Sequence, residues 1–245
     1  MAFIAVTDLA GNITYRKAES LSPILDAVAG SRKVAGLLLR INSPGGEATA
    51  SEILYRKLLK VREKKPVIAS VSSVCASGAY WIATGSTKIF AMQTSLVGSI
   101  GVIGVYPSFK KLLDRVGVEV NVTKVGKYKD LNNPFVEPTE EGKEKMENIM
   151  KSIFSTFRDA VADERKIERS KIDDLATGEV FSSQDALSSR LIDAIGTYDE
   201  ALEDLKAKVG VKKVRNINPR RPFLPRIIGA AVNDSISEMM DPGKF

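Results

Sequence analysis

From the first residues to about position 125, short apolar runs alternate with stretches of helical period. That alternation restricts the chain to βα units wrapped around a buried sheet. Phe3-Ile4-Ala5-Val6, Val34–Ile41 and Val67–Val71 are short, rich in branched side chains and bounded by turn residues, as buried strands are. Between the last two, Ala50, Ile53, Leu54, Leu58 and Val61 recur at spacings of three and four, which gives a helix one face to lay on the sheet, and Pro66 closes the connection. Thr87–Met92, Ile100–Val105 and Val118–Val125 predict further strands, and Ser108–Val116 a helix.

Beyond residue 138 the pattern becomes helical. Thr139 suits an N-cap, Glu140 and Glu141 suit the positive end of a helix, and Met146, Ile149, Met150, Ile153, Phe154, Phe157 and Val161 form one apolar stripe with charge opposite. Short elements follow, among them Glu179-Val180-Phe181 and Leu191-Ile192-Asp193. The expected division is one α/β domain over 1–208 and a basic, Pro-containing, flexible tail over 209–245. In the tail region Lys206, Lys208, Lys212, Lys213, Arg215, Arg220, Arg221 and Arg226 occur without an intervening acid, and Pro219, Pro222 and Pro225 oppose regular helix. These cations exceed the whole net charge of +6, so the body of the chain is close to neutral. Such a run reads as a solvated tail, with an anionic surface as the alternative. No stretch approaches the ~20 apolar residues of a membrane span.

The chain contains no histidine and a single cysteine, Cys75. Histidine-based triads, imidazole metal sites, intrachain disulfides and Cys-rich zinc sites are all excluded, so acid–base work falls to Lys, Asp, Glu or Tyr. Three loops after strand-like runs then matter, because bound groups in α/β proteins sit beyond the carboxyl ends of strands. In Asn42-Ser43-Pro44-Gly45-Gly46, two residues without Cβ let backbone amides approach a ligand where a helix begins; the same residues also make an ordinary tight turn. In Cys75-Ala76-Ser77-Gly78-Ala79, Ser77 is either a nucleophile presented beside the Gly78 amide or a simple N-cap, and Cys75 is either a rival nucleophile or a small core residue. In Ser95–Gly101, Ser99 supplies a second hydroxyl or a turn.

A serine nucleophile without histidine needs another base. Lys127 and Lys129, in Val125-Gly126-Lys127-Tyr128-Lys129-Asp130, are candidates, although a free lysine at ~10.4 is only about one-thousandth neutral near pH 7.4 and most loop lysines are simply solvated.

Taken in order, Asn-Ser-Pro-Gly-Gly, Ala-Ser-Gly-Ala-Tyr-Trp-Ile-Ala, Gly-Ser-Ile-Gly-Val and Gly-Lys-Tyr-Lys-Asp resemble the signal peptide peptidase A family, and the likeness continues through Gly178–Ala186 and Leu191-Ile192-Asp193. The resemblance implies an α/β fold of the crotonase/Clp-protease type, a spiral of ββα units with a helical second half. It implies a serine endopeptidase with Ser77 as nucleophile, Lys129 as general base, Ser99 orienting the lysine, and the amides of Gly45, Gly46 and Gly78 as oxyanion hole. Lys127 matches the base position less well. No cofactor or metal is implied. The implied partners are cleaved signal peptides and similar apolar peptides, and further copies of the chain in a homo-oligomer of four to eight; nucleic acid is not expected. Family members are usually membrane-anchored by an amino-terminal helix that this sequence does not show, so membrane proximity rests on the family alone. Cys75 and Ala79 stand where alanine and glycine are usual. Arg226 followed by Ile227–Val232 resembles a very short signal peptide. An acyl-CoA enzyme of the crotonase type and a non-catalytic peptide scaffold are the competing readings.

Overall fold

The computed structural model describes residues 1–219, and Arg226–Val232 lies outside the described residues. Strands β1 (Phe3–Ala10), β2 (Val34–Ser43) and β3 (Val67–Ala76) run parallel in the order β3-β2-β1 and are joined by helices α1 (Tyr15–Gly30) and α2 (Ala48–Arg62). Successive side chains of a strand point to opposite faces. Ala5, Leu37, Leu39 and Ala69 accordingly enter the core shared with α1 and α2. Their neighbours Ile4, Val6, Leu38 and Ile68 pack with Phe90 and with Leu202 and Leu205 of α8 (Tyr198–Val209). Both faces are covered, which is why these strands read as continuous apolar runs.

Strand β3 is shared between two ladders. Its first half pairs with β4 (Lys88–Ala91) and its last residues with β5 (Leu96–Gly98). The change of partner coincides with extra residues in β3. The register with β2 passes from Ile41↔Val71 to Ser43↔Cys75, so Ser72–Val74 bulge outward and Ser72 and Ser73 are exposed. Past that bulge Ala76 and Gly98 are in register, which fixes the ends of two neighbouring strands side by side. Strand β4 goes on to pair with β7 (Ala194–Ile195), and β5 pairs antiparallel with β6 (Val180–Ser182).

Helix α3 (Gly78–Thr84) follows β3 directly and is buried over its whole length. Helix α5 (Glu140–Arg165) crosses it, with Phe157 stacked on Trp81 at 5.0 Å between ring centres. Thr139 caps α5 as expected, accepting from the Gly142 N–H at 3.1 Å. The apolar stripe is buried only toward the carboxyl end, at Phe157 and Val161. Ile149 is exposed and Met146, Met150 and Ile153 are half-covered. Short helices α4 (Lys110–Arg115), α6 (Arg169–Leu175) and α7 (Ser183–Ser188) complete the helical second half.

Two expectations fail. Ile100–Val105 and Val118–Val125 are not strands. Ile100 is buried in the core, and the rest of both segments beyond Gly101 belongs to an arm, residues 102–138, in which Ile103, Val105 and Val125 are 85%, 79% and 94% exposed. An alternating pattern describes a strand with something to face, and among the described residues this segment pairs with no strand of the sheet. The boundary at 208 also falls too early. β8 (Val214–Asn216) pairs parallel with β1, and the Asn218 side chain donates to Asp8 and accepts from the Thr7 hydroxyl and the Asp8 N–H. Flanking charge hid this strand. Arg215 lies over the Phe3 ring at 4.6 Å, and charges of this kind are the usual protection of an edge.

Candidate active site

Ser77 caps α3 in position but not in chemistry. Its φ of 53° and ψ of −128° lie where glycine is normally required, and its side chain makes no capping hydrogen bond. The conformation is held from both sides. The Ser77 N–H donates to the Gly98 carbonyl at 2.7 Å, and the Trp81 N–H donates to the Ser77 carbonyl at 3.0 Å. Behind it the fully buried Tyr80 donates its hydroxyl to the Leu191 carbonyl at 2.8 Å. A strained strand-to-helix turn that frees a serine hydroxyl is the arrangement of a nucleophile elbow. Across the β3–β5 register sits Ser99, also at positive φ (51°), with its N–H donated to the Glu179 carbonyl at 2.7 Å.

The glycine turn after β2 packs on this elbow. A Cβ on Gly45 would come within 2.8 Å of the Ser77 Cβ and the Ala76 carbonyl, and within 2.9 Å of the Gly78 nitrogen. Only a residue without a side chain permits that approach. The turn's hydrogen bonds distinguish its amides. The Gly45 N–H donates to Ser43 Oγ at 3.2 Å, Ser43 Oγ donates to the Gly11 carbonyl at 2.7 Å, and the Gly45 carbonyl accepts from Ile13 at 2.8 Å. Gly45 therefore shapes the turn with its own N–H already engaged. The N–H groups of Gly46 and Gly78 find no acceptor among the described residues. The Gly46 nitrogen is 3.7 Å from the point where a Gly78 Cβ would stand, so two unpartnered donors lie close together next to Ser77, at the amino end of a helix.

Cys75 is fully buried in β3, and burial pushes its thiol far above the ordinary range, so it has no thiolate to offer. Lys129 stands apart from the elbow. It is exposed on the arm, no hydrogen bond joins it to Ser77, and the groove it lines is made of Val122–Val125, Tyr128, Asp130–Asn133 and Met146. Its side chain has no hydrogen bond or ion pair among the described residues. Lys127, by contrast, is paired with Glu141 at 2.5 Å, and the carboxylate beside it holds its amine above the usual lysine range. The structure thus gathers Ser77, Ser99, Gly45, Gly46 and Gly78 and leaves Lys129 outside the group.

Sequence reasoning missed three contributors. Ser43 engages Gly45. Ser51, wholly buried in the first turn of α2, lies directly against Gly78. Glu141 binds Lys127. Nothing in the spacing marks Ser43 or Ser51, and Glu141 was legible only as a helix-start acid.

Residues 60–212 match the family model described as Peptidase family S49. A protein of Methanocaldococcus jannaschii named as a protease is 37% identical over 188 residues, covering 77% of this chain and 60% of that protein. The chloroplastic serine protease SPPA of Arabidopsis thaliana is 36% identical over 217 residues, covering 86% of this chain and 32% of that protein. Protease 4 of Salmonella typhi is 34% identical over 172 residues, covering 69% and 28%. The chain therefore spans between about a quarter and three fifths of the length of these relatives. No helix among the described residues is long and apolar enough to cross a membrane. On this footing the chain belongs to peptidase family S49, the serine-protease family that includes signal peptide peptidase A.

Proposed function

We propose that the chain is an endopeptidase with a Ser77–Lys129 dyad, acting on apolar, signal-peptide-like segments bound in extended form. The observation that carries this reading is the uncapped Ser77 hydroxyl, held in a strained turn beside the unpartnered Gly46 and Gly78 amides. Neutral Lys129 takes the proton from Ser77 Oγ as the oxygen attacks the peptide carbonyl, and the two amides stabilise the oxyanion. Protonated Lys129 then gives that proton to the departing amine as the C–N bond breaks, leaving an acyl-serine. Water repeats the sequence and releases the acid. Ser99, one ladder position from Ser77, holds the lysine amine in line.

Two observations favour a base supplied by a neighbouring copy. Lys129 has no partner among the described residues, and it rides on an arm whose apolar residues, with the open half of the α5 stripe, are uncovered. A surface of that kind calls for burial. A second copy covers the arm and receives its lysine at Ser77 in one step.

The test uses Ser77→Ala and Lys129→Ala. Each is expected to lose peptidase activity while keeping its melting temperature, and a fluorophosphonate is expected to label wild type at Ser77 only. Mixing the two inactive variants restores a fraction of the activity if the dyad forms between copies. Full activity in either variant overturns the dyad, and silence of the mixture returns the dyad to a single chain.

A further inference from the structure

The segment around Lys129 holds three lysines within six residues, and the structure treats them differently. Lys124 Nζ is gripped by both carboxylate oxygens of Asp130, at 2.5 and 2.6 Å, and also donates to the Lys127 carbonyl at 3.2 Å. Lys127 Nζ donates to Glu141 at 2.6 Å, and the Tyr128 hydroxyl donates to the same carboxylate. Glu141 lies in the first turn of α5, behind the Thr139 cap, so it is anchored to regular structure. The residues on both sides of Lys129 are therefore tied down, Lys127 and Tyr128 to α5 and Asp130 to Lys124. Of the three, Lys129 alone carries an amine without a hydrogen-bond or ion-pair partner among the described residues.

We infer that Glu141 is a positioning residue for the general base: by engaging Lys127 and Tyr128, while Asp130 engages Lys124, it fixes the loop and compensates the two flanking amines, so that of the three lysines in this segment Lys129 alone is left without a carboxylate partner. The inference rests on the Ser77–Lys129 reading. An amine paired with a carboxylate resists deprotonation, and a general base must be neutral before it can act. The pairs persist through the neutral range. Lys127 holds the Glu141 carboxyl below its ordinary value, and Lys124 does the same for Asp130. The other charged groups bordering the patch are Glu137, before the helix, and Lys145, whose amine lies 5.8 Å over the Tyr128 ring.

Pairing of this kind makes two substitutions act in opposite directions. Glu141→Gln leaves Lys127 as an uncompensated cation close to Lys129, which disfavours the protonated base and moves its titration to lower pH. Lys127→Met leaves Glu141 as an uncompensated anion and moves it to higher pH. For unit charges several ångströms apart, either displacement is about 0.2–0.4 pH units in water and larger where a covering copy excludes solvent.

The experiment follows kcat/KM for an apolar fluorogenic peptide against pH in the full-length protein, with wild type, Glu141→Gln, Lys127→Met, the double variant and Lys129→Met. The rising limb is expected to move down in Glu141→Gln and up in Lys127→Met, and to return to the wild-type position in the double variant. A limb unmoved in both single variants, or moved the same way in both, overturns the inference. So does a fall in kcat for Glu141→Gln at an unchanged limb, which would mark a purely structural role. Retained activity in Lys129→Met overturns the dyad itself, a separate result read from a separate variant.

Discussion

Replacing Gly78 by alanine isolates what the oxyanion site needs from its surroundings. Gly78 is the first residue of α3 and needs no left-handed backbone, so the obstacle to a side chain is space alone. A Cβ there would overlap Ser51 Oγ and come within 2.9 Å of the Ser51 Cβ. Ser51 cannot swing away, because it is fully buried and its hydroxyl donates to the Glu47 carbonyl at 2.9 Å. The start of α3 has to shift instead. Overpacking of this sort costs about 1–3 kcal/mol, which lowers the melting temperature of a domain this size by about 2–12 °C. The same shift draws the Gly78 N–H away from the Gly46 N–H, and losing one such donor lowers kcat by about 10²–10³. Ser51→Gly removes both obstructing atoms at a helix cost of roughly 1 kcal/mol. Calorimetry and steady-state hydrolysis on the two single variants and the double variant are expected to show Gly78→Ala as slow and less stable, with most of the lost kcat recovered in the double variant. Wild-type kcat in Gly78→Ala, or a double variant no faster than Gly78→Ala alone, would refute the reasoning.

Ser77→Gly, which relaxes the glycine-type φ and ψ, is expected to be inactive yet to melt above Ser77→Ala, which keeps the strain; the reverse order in a thermal scan removes the strained elbow from the account. Cys75→Ala is expected to keep fluorophosphonate labelling at Ser77 and lose only about 1 kcal/mol of stability, and iodoacetamide at pH 8 is expected to leave Cys75 of the folded protein unmodified. Rapid alkylation of Cys75 would show that the thiol is not sealed in β3.

What the sequence discloses divides along physical lines. Strands β1 to β3, α2 and the Thr139 cap are readable because burial on both faces, a 3.6-residue stripe and a capping hydroxyl are local properties. The loops after β2, β3 and β5 are readable as site elements for the same reason, each being a Gly/Ser interruption at a strand end. Which of the Gly45, Gly46 and Gly78 amides stays unpartnered is not readable, because it depends on the Ser43 hydroxyl turning back to accept from the Gly45 N–H while it donates to Gly11 on a neighbouring strand end. Ile100–Val105 and Val118–Val125 have the composition of strands, yet composition does not reveal whether an edge is there to receive them. The strand at Val214–Asn216 failed the opposite way, being too short and too charged to stand out until its partner β1 is in place.

That last strand also imposes an order on assembly. Within this sheet β1 leaves the ribosome before every other strand and β8 after them all, and the Asn218 side chain reaches Thr7 across 211 residues of sequence. Until β8 arrives, the outer edge of Ile4–Val6 presents unpaired amides and carbonyls to any passing strand. A nascent chain stalled before residue 214 would therefore hold a nearly finished sheet with one adhesive side. Chaperone demand during synthesis should accordingly centre on this flank, on the side of the sheet opposite β5 and Ser77.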